Sequence, residues 1–373
     1  MTTTKNNQGM APARRQFLKT AAGTSVAALS GLAGAQAFDF RPNQRYPDPS
    51  VFILDPSFTK YRIYSSTVEQ LGTGMRWAEG PAYFPEGGYL LLSDIPNNRL
   101  MKYDEKTNQF SVHKTNVNYA NGNVCDRQGR LITCEHSVTR RVVRTEKDGR
   151  TTVLADRFEG KRLNAPNDIV VKSDDSVWFT DPTFGIGGEW EGSRATPEQA
   201  TTNVYRIAPD GKLTAVITDL VNPNGLAFSP DEKKLYVVEW KGTPNRSIWA
   251  YDVSADGATV SNKTKLIDAA GPGAFDGFKV DRDGNLWCGW GYTGALAAEP
   301  TDIGGGMKAH LPTGRSDEMD GVKVFNPEGK PIGFIRLPER CANLAFGGPK
   351  RNRLYMTSSH SLYALYVESH GAV

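Results

Sequence analysis

The sequence predicts an all-β chain closed into a six-bladed β-propeller. Three observations carry this: a strand–turn–strand unit recurs six times, the copies follow one another every roughly 40–70 residues, and the last copy is one strand short. The copies span residues 84–94, 125–135, 171–181, 228–238, 280–288 and 346–356. In each, an apolar strand runs through a turn of Gly, Asp, Ser or Pro into a second strand, and further strands follow, as at 100–103, 204–207 and 248–251. A unit of about four strands cannot bury both of its faces alone, so neighbours must pack side by side in a ring. The last copy ends at 361–366, and the segment near 64–71 is expected to supply its missing strand, leaving no open edge. With 38 Gly, 22 Pro and 39% hydrophobic residues among 373, the composition suits a turn-rich globular chain. A single propeller domain is therefore expected over 61–373.

The segment before it reads as an address. Arg14-Arg15-Gln16-Phe17-Leu18-Lys19 precedes a mildly apolar run over 20–34, and Ala35-Gln36-Ala37 follows as a small-x-small cleavage site. Residues 1–37 are thus expected to be a twin-arginine-type signal peptide, read by the twin-arginine export machinery, which directs the protein to a bacterial periplasm or beyond. The run is too short and too rich in Gly, Ala, Ser and Thr for a spanning helix, so no membrane insertion is expected after cleavage. Residues 38–60, with several prolines, read as an extended leader.

Of the formal charge of +3, Lys5, Arg14, Arg15 and Lys19 supply four units, which leaves the body at −1. Nucleic acid and anionic membranes both demand a clustered excess of Lys and Arg, so neither is an expected partner. Cys125, Cys134, Cys288 and Cys341 are too few and scattered for a disulfide scaffold, and no CxxC spacing occurs. Free thiols are expected, with a Cys125–Cys134 pair across one hairpin as the alternative. The oligomeric state is not legible.

The innermost strand of each blade should line the central channel, so the residues at its start can converge on one point. That register holds Glu79, Asn121, Asn167, Asn224, Asp276 and, in the sixth blade, Ala342 or Asn343. Singly, an Asn-Gly or Asp-Gly pair is an ordinary turn, as Asp210-Gly211 and Asp283-Gly284 are read. Recurrence at one register points elsewhere, because carboxylates and amides crowded into a channel repel or go unsatisfied without a cation. An all-oxygen set suits a hard divalent metal, Ca²⁺ first, with Mg²⁺, Mn²⁺ or Zn²⁺ as alternatives.

Ala78-Glu79-Gly80-Pro81, Asn164-Ala165-Pro166-Asn167-Asp168, Asn222-Pro223-Asn224-Gly225 and Phe275-Asp276-Gly277 resemble motifs of the gluconolactonase and regucalcin (senescence marker protein) group. Diisopropylfluorophosphatase and paraoxonase are its more distant relatives, and the resemblance covers residues 73–366. It implies that Glu79, Asn224 and Asp276 bind the metal directly. Asn167 matches a position that ligates the metal in some members and contacts substrate in others, whereas Asn121 rests on the register alone. The implied activity is hydrolysis of a small lactone, such as the sugar lactone gluconolactone, by metal-activated water.

Ca²⁺ acidifies water less than zinc does, so a nearby base is expected, Asp276 first and His136 as the alternative. Two long segments, 182–202 and 291–318, should surround the channel mouth as lids or specificity elements. Arg140, Asp168, Trp240 and Tyr292, together with Asn121, are candidate substrate contacts by position. Two other functions fit the same fold: a non-catalytic propeller acting as a binding platform, and the same site acting on aryl esters or organophosphates.

Overall fold

The computed structural model describes residues 1–2, 42–43, 45–240, 246–269, 273–292, 295–296, 301–304, 307–309, 312–313 and 320–372. The expected signal peptide lies outside the described residues except for its first two, and so does most of the segment 293–319.

Six antiparallel sheets, numbered here as blades 1 to 6 in chain order, make up the propeller. Their first strands are Ala78–Phe84, Ala120–Cys125, Ile169–Val171, Pro223–Phe228, Gly273–Val280 and Cys341–Gly347. The first strands of neighbouring blades lie against one another, which makes them the lining of the channel. Second strands follow at Tyr89–Asp94, Leu131–Glu135, Val177–Asp181, Lys234–Trp240, Leu286–Tyr292 and Arg353–Ser358. Third and fourth strands lead outward, ending in blade 5 at Pro331–Arg336.

The first-to-second turns are built by one device in several blades. In blade 2, Asp126 Oδ1 accepts from the amides of Gln128 (3.0 Å) and Arg130 (2.7 Å), with Gly129 at φ +75°. In blade 5, Asp281 Oδ1 accepts from Asp283 (3.0 Å) and Asn285 (2.8 Å) around Gly284 at φ +83°. A short carboxylate that bonds the backbone two residues on, followed by a residue that tolerates positive φ, is sufficient to reverse the chain. The cores lie between blades. Trp178, Leu226 and Val237 fill the space between blades 3 and 4, and Trp287, Leu344 and Met356 that between blades 5 and 6. Both buried indoles are satisfied, Trp178 by Ser176 Oγ (2.9 Å) and Trp287 by Asp281 Oδ2 (2.9 Å).

Blade 6 closes the ring as expected, with a small shift. Its outer strand is Glu69–Thr73, paired with Ser361–Tyr366 so that Glu69 faces Ala364 and Thr73 faces Ser361. Arg353 locks this closure. Its Nη2 donates to Glu69 Oε2 (2.6 Å) and its Nη1 to Glu105 Oε1 (3.2 Å) of blade 1. From Val51 on, the stretch expected as an extended leader carries structure. Val51–Ile53 adds a fifth strand to blade 5, and the 3-10 turn Pro56–Tyr61 buries Phe58 and Tyr61. Phe58 packs 5.8 Å from Trp287, burial that no local pattern announces.

All four cysteines are free. The blade 2 hairpin pairs Cys125 with Leu131 and Val124 with Ile132. Because side chains alternate along a strand, this register sends Cys125 and Cys134 to opposite faces and into different inter-blade cores.

Candidate metal and active site at the channel

The channel register is made by bulges. In five blades the pairing of the first two strands slips there: between Glu79 and Ala82, Ala120 and Asn123, Pro223 and Leu226, Phe275 and Phe278, and Cys341 and Asn343. A bulge breaks the alternation of side chains and re-aims them, which lets neighbouring positions turn toward the axis. Blade 3 reaches the same end differently. Asn167 N donates to Thr180 O (2.8 Å) and Thr180 N to Asp168 O (3.0 Å) just before regular pairing starts at Ile169.

The glycines beside these residues are there for space. A Cβ on Gly80 would lie 2.0 Å from the Asn121 carbonyl oxygen, on Gly122 2.3 Å from that of Asn167, and on Gly225 2.5 Å from that of Asp276. On Gly277 it would lie 2.1 Å from the Asn343 side chain. The Asn-Gly and Asp-Gly pairs of the ring are therefore strand residues at a crowded axis, whereas Asp210-Gly211 and Asp283-Gly284 sit in turns with φ +87° and +83° at their glycines.

Three carboxylates of the ring, Glu79, Asp168 and Asp276, interact electrostatically. Burial, and then the negative charges of Asp276 and Asp168, hold the Glu79 carboxyl well above its ordinary range. Its Oε2 accepts from the amide of Gly80 (2.7 Å). Asp168 Oδ1 accepts from the amide of Ile169 (2.9 Å), and its Oδ2 from Asn343 Nδ2 (3.4 Å) on blade 6. Asp276 Oδ1 accepts from Asn224 Nδ2 (2.8 Å), and its Oδ2 from Arg340 Nη2 (3.2 Å). Asn121 is buried alongside, its backbone oxygen accepting from Ser93 Oγ (2.6 Å) and Asn123 Nδ2 (3.0 Å).

This donor set fits a hard cation. Negative charges gathered around a buried carboxyl are relieved by a positive charge between them. Asn224 presents its nitrogen to Asp276, which leaves its amide oxygen as the atom for an ion. Among the described residues no three His, Cys, Asp or Glu side chains are grouped to hold an ion by themselves, so amide oxygens must complete the set, as hard-ion sites allow.

His136 directly follows the second strand of blade 2 and is fully buried. Its Nδ1 donates to the carbonyl of Pro166 (2.9 Å). Nε2 has no hydrogen-bond partner among the described residues and lies 3.5 Å from Glu191 Oε2. Through Pro166, His136 supports the segment that delivers Asn167. Arg140 acts on the same segment, its buried Nε donating to the carbonyls of Leu163 (2.7 Å) and Asn164 (2.8 Å). Trp240, at the end of the blade 4 second strand, meets Phe184 edge-on at 5.4 Å. Tyr292 ends the blade 5 second strand, and its side chain lies outside the described residues, as does most of the Gly304-Gly305-Gly306 run.

The segment 182–202 is tied down. Thr183 Oγ1 donates to Asn222 Oδ1 (3.1 Å), Ser193 N to Ser137 Oγ (3.0 Å), and Gln199 Nε2 to the carbonyls of Phe158, Lys161 and Arg162 (3.0–3.1 Å). It is thus bonded both to Ser137, after the second strand of blade 2, and to Asn222, before blade 4, with Trp190 exposed.

The family model for the SMP-30/Gluconolactonase/LRE-like region matches residues 77–360, which contain every ring residue from Glu79 to Asn343. The chain belongs to this family. It is similar to a gluconolactonase from Zymomonas mobilis, 28% identical over 82% of this chain and 83% of the relative. A pentonolactonase from Haloferax volcanii is 26% identical over 77% of this chain and 83% of its own. Among solved structures, a gluconolactonase from Xanthomonas campestris superposes with a TM-score of 0.72 at 32% identity, covering 88% of this chain and 96% of the other.

Two features of this family member escaped the sequence. Arg340, in the connection between blades 5 and 6, has no repeated counterpart to mark it, yet it pairs with Asp276. Lys279, three residues beyond Asp276, donates to Asn343 Oδ1 (3.4 Å) and so orients the amide that reaches Asp168. Asn343, one of two readings at its register, is the side chain that faces the ring.

Asp181, at the end of the blade 3 second strand, holds the approach to Asn167. Its oxygens accept from the amides of Asn164 (2.8 Å) and Ala165 (2.8 Å). Burial outweighs those bonds and pushes its pKa up to about 7. The unfolded chain loses this proton near its ordinary value of 3.8, so between there and about 7 the native state binds more protons. This contribution to stability is complete below the unfolded value and is lost as pH rises through about 7. Urea unfolding followed from pH 4 to 8 is expected to show that decline, and Asp181→Asn is expected to flatten it. An unchanged slope in the variant would assign the decline to other groups.

Proposed function

We propose that this protein hydrolyses a small lactone, a sugar aldonolactone such as gluconolactone, with a divalent cation, Ca²⁺ first, held by Glu79, Asn167, Asn224 and Asp276. The observation that carries the cation is the mutual repulsion of Glu79, Asp168 and Asp276 in a buried ring lined with amides. The names of the relatives support the substrate: gluconolactonase in Zymomonas mobilis and Xanthomonas campestris, pentonolactonase in Haloferax volcanii. Bound there, the cation would supply Lewis acidity toward the ester carbonyl and toward water.

The chain's own groups orient the substrate and move the proton. Asn121, Asp168 and Asn343 offer donors and acceptors to sugar hydroxyls, which an apolar-walled site for aryl esters would lack. Asp276 is the first choice as proton acceptor because it belongs to the ring, although Asn224 and Arg340 already engage its two oxygens. His136, whose Nε2 has no hydrogen-bond partner among the described residues, is the alternative.

The test is hydrolysis of glucono-1,5-lactone followed with a pH indicator, after chelation and after adding back Ca²⁺, Mg²⁺, Mn²⁺ or Zn²⁺. Activity is expected to vanish on chelation and return with one ion. If no ion lifts the rate above the uncatalysed background for this or other small lactones, the lactonase reading falls and a binding platform takes its place.

A further inference from the structure

We infer that Arg340 is a specificity-determining residue of this site: its guanidinium recognises the carboxylate of the ring-opened hydroxy acid. The inference rests on the lactone reading above and goes beyond it by naming the group that binds the acyl end.

Three contacts hold the side chain in place. Nη2 donates to Asp276 Oδ2 (3.2 Å), the guanidinium lies 5.9 Å from the centre of the Trp77 ring, and Gly291 gives it room. A Cβ on Gly291 would sit 2.2 Å from Arg340 Cγ. A planar cation fixed by an aromatic face and a carboxylate is pre-organised, so little freedom is lost when it binds a ligand.

Among the described residues its donors are not all engaged. Nε is buried and has no hydrogen-bond partner among the described residues, while the side chain as a whole is 24% exposed. A guanidinium carries five N–H donors in a fork that matches the two oxygens of a carboxylate. Ester hydrolysis creates such a carboxylate beside three others, Glu79, Asp168 and Asp276, which repel it. Arg340, already joined to Asp276, supplies positive charge beside the ring to offset that repulsion.

The readout is product inhibition by gluconate during hydrolysis of glucono-1,5-lactone, measured with kcat and KM for wild type, Arg340→Met and Arg340→Lys, each with its melting temperature. Arg340→Met is expected to weaken gluconate inhibition by about tenfold or more, the usual scale for losing a charge-assisted bond, and Arg340→Lys to fall between the two. A role limited to neutralising Asp276 would leave the inhibition constant of the lysine variant at the wild-type value. Inhibition constants within about twofold of wild type in both variants would overturn the inference, as would wild type that gluconate does not inhibit. If the methionine variant does not fold, the lysine variant carries the test, because it keeps the charge and loses the fork. Wild type without lactone hydrolysis sinks the lactone reading and this inference together, whereas hydrolysis with unchanged inhibition sinks this inference alone.

Discussion

Asp276→Ala is expected to lower kcat/KM for glucono-1,5-lactone by about 10³-fold, even with Ca²⁺ in excess, while the protein stays folded. The carboxylate is the proposed cation ligand as well as the acceptor that turns the Asn224 amide and the partner of Arg340, so its loss undoes three arrangements at once. Folding should survive for an electrostatic reason. Burial, and then the charge of Asp276, hold the Glu79 carboxyl above its ordinary range, and removing Asp276 relieves that repulsion. The partly exposed Arg340 regains water in its place. Thermal unfolding in chelator is therefore expected to show a melting temperature no lower than that of wild type. A variant that kept more than a tenth of the activity would remove Asp276 from the chemistry.

Gly122→Ala is expected to destabilise the protein by about 3 kcal/mol or more and to abolish activity with it. The added methyl would lie 2.3 Å from the Asn167 oxygen and 2.9 Å from the Asp168 Cα. Both are backbone atoms of the next blade, held by the Gly122 N to Asn167 O bond (2.8 Å), so neither can swing aside as a side chain would. Relief requires blades 2 and 3 to part, which carries Asn167 and Asp168 away from their places in the ring. Gly149→Ala is the matched control. It has φ +85° and nothing within 4 Å, so only backbone strain of about 1 kcal/mol is expected there. Urea midpoints for the two variants separate the effects. Equal losses would mean that the crowding at the axis is not what holds Gly122.

The expectation of a turn at each Asn-Gly or Asp-Gly pair shows where local reading stops. Asp210-Gly211 and Asn224-Gly225 look alike in sequence, but one reverses the chain at the surface and the other lies in a strand against the next blade. Only the repeat separated them, because four blades carried the same kind of pair or a carboxylate at one register, and blade 3 an asparagine. Arg340 had no such repeat, and its partner Asp276 lies 64 positions away. His136 was legible as a polar residue at a strand end, but its tautomer depends on the Pro166 carbonyl, 30 positions on.

The sequence by itself determined the strands, their number per unit, the six-fold repetition and the register at which oxygen-bearing side chains gather. Alternation, turn chemistry and repetition act over a few residues or recur, so they survive in a linear text. The tertiary structure alone decided which groups interact: the bulges that turn Glu79 and Asp276 inward, the charges of Asp276 and Asp168 acting on Glu79, Arg340 on Asp276, and Val51–Ile53 on the edge of blade 5. Those contacts join residues tens to hundreds of positions apart. They form only when the ring closes and sets the distance from each blade to the axis.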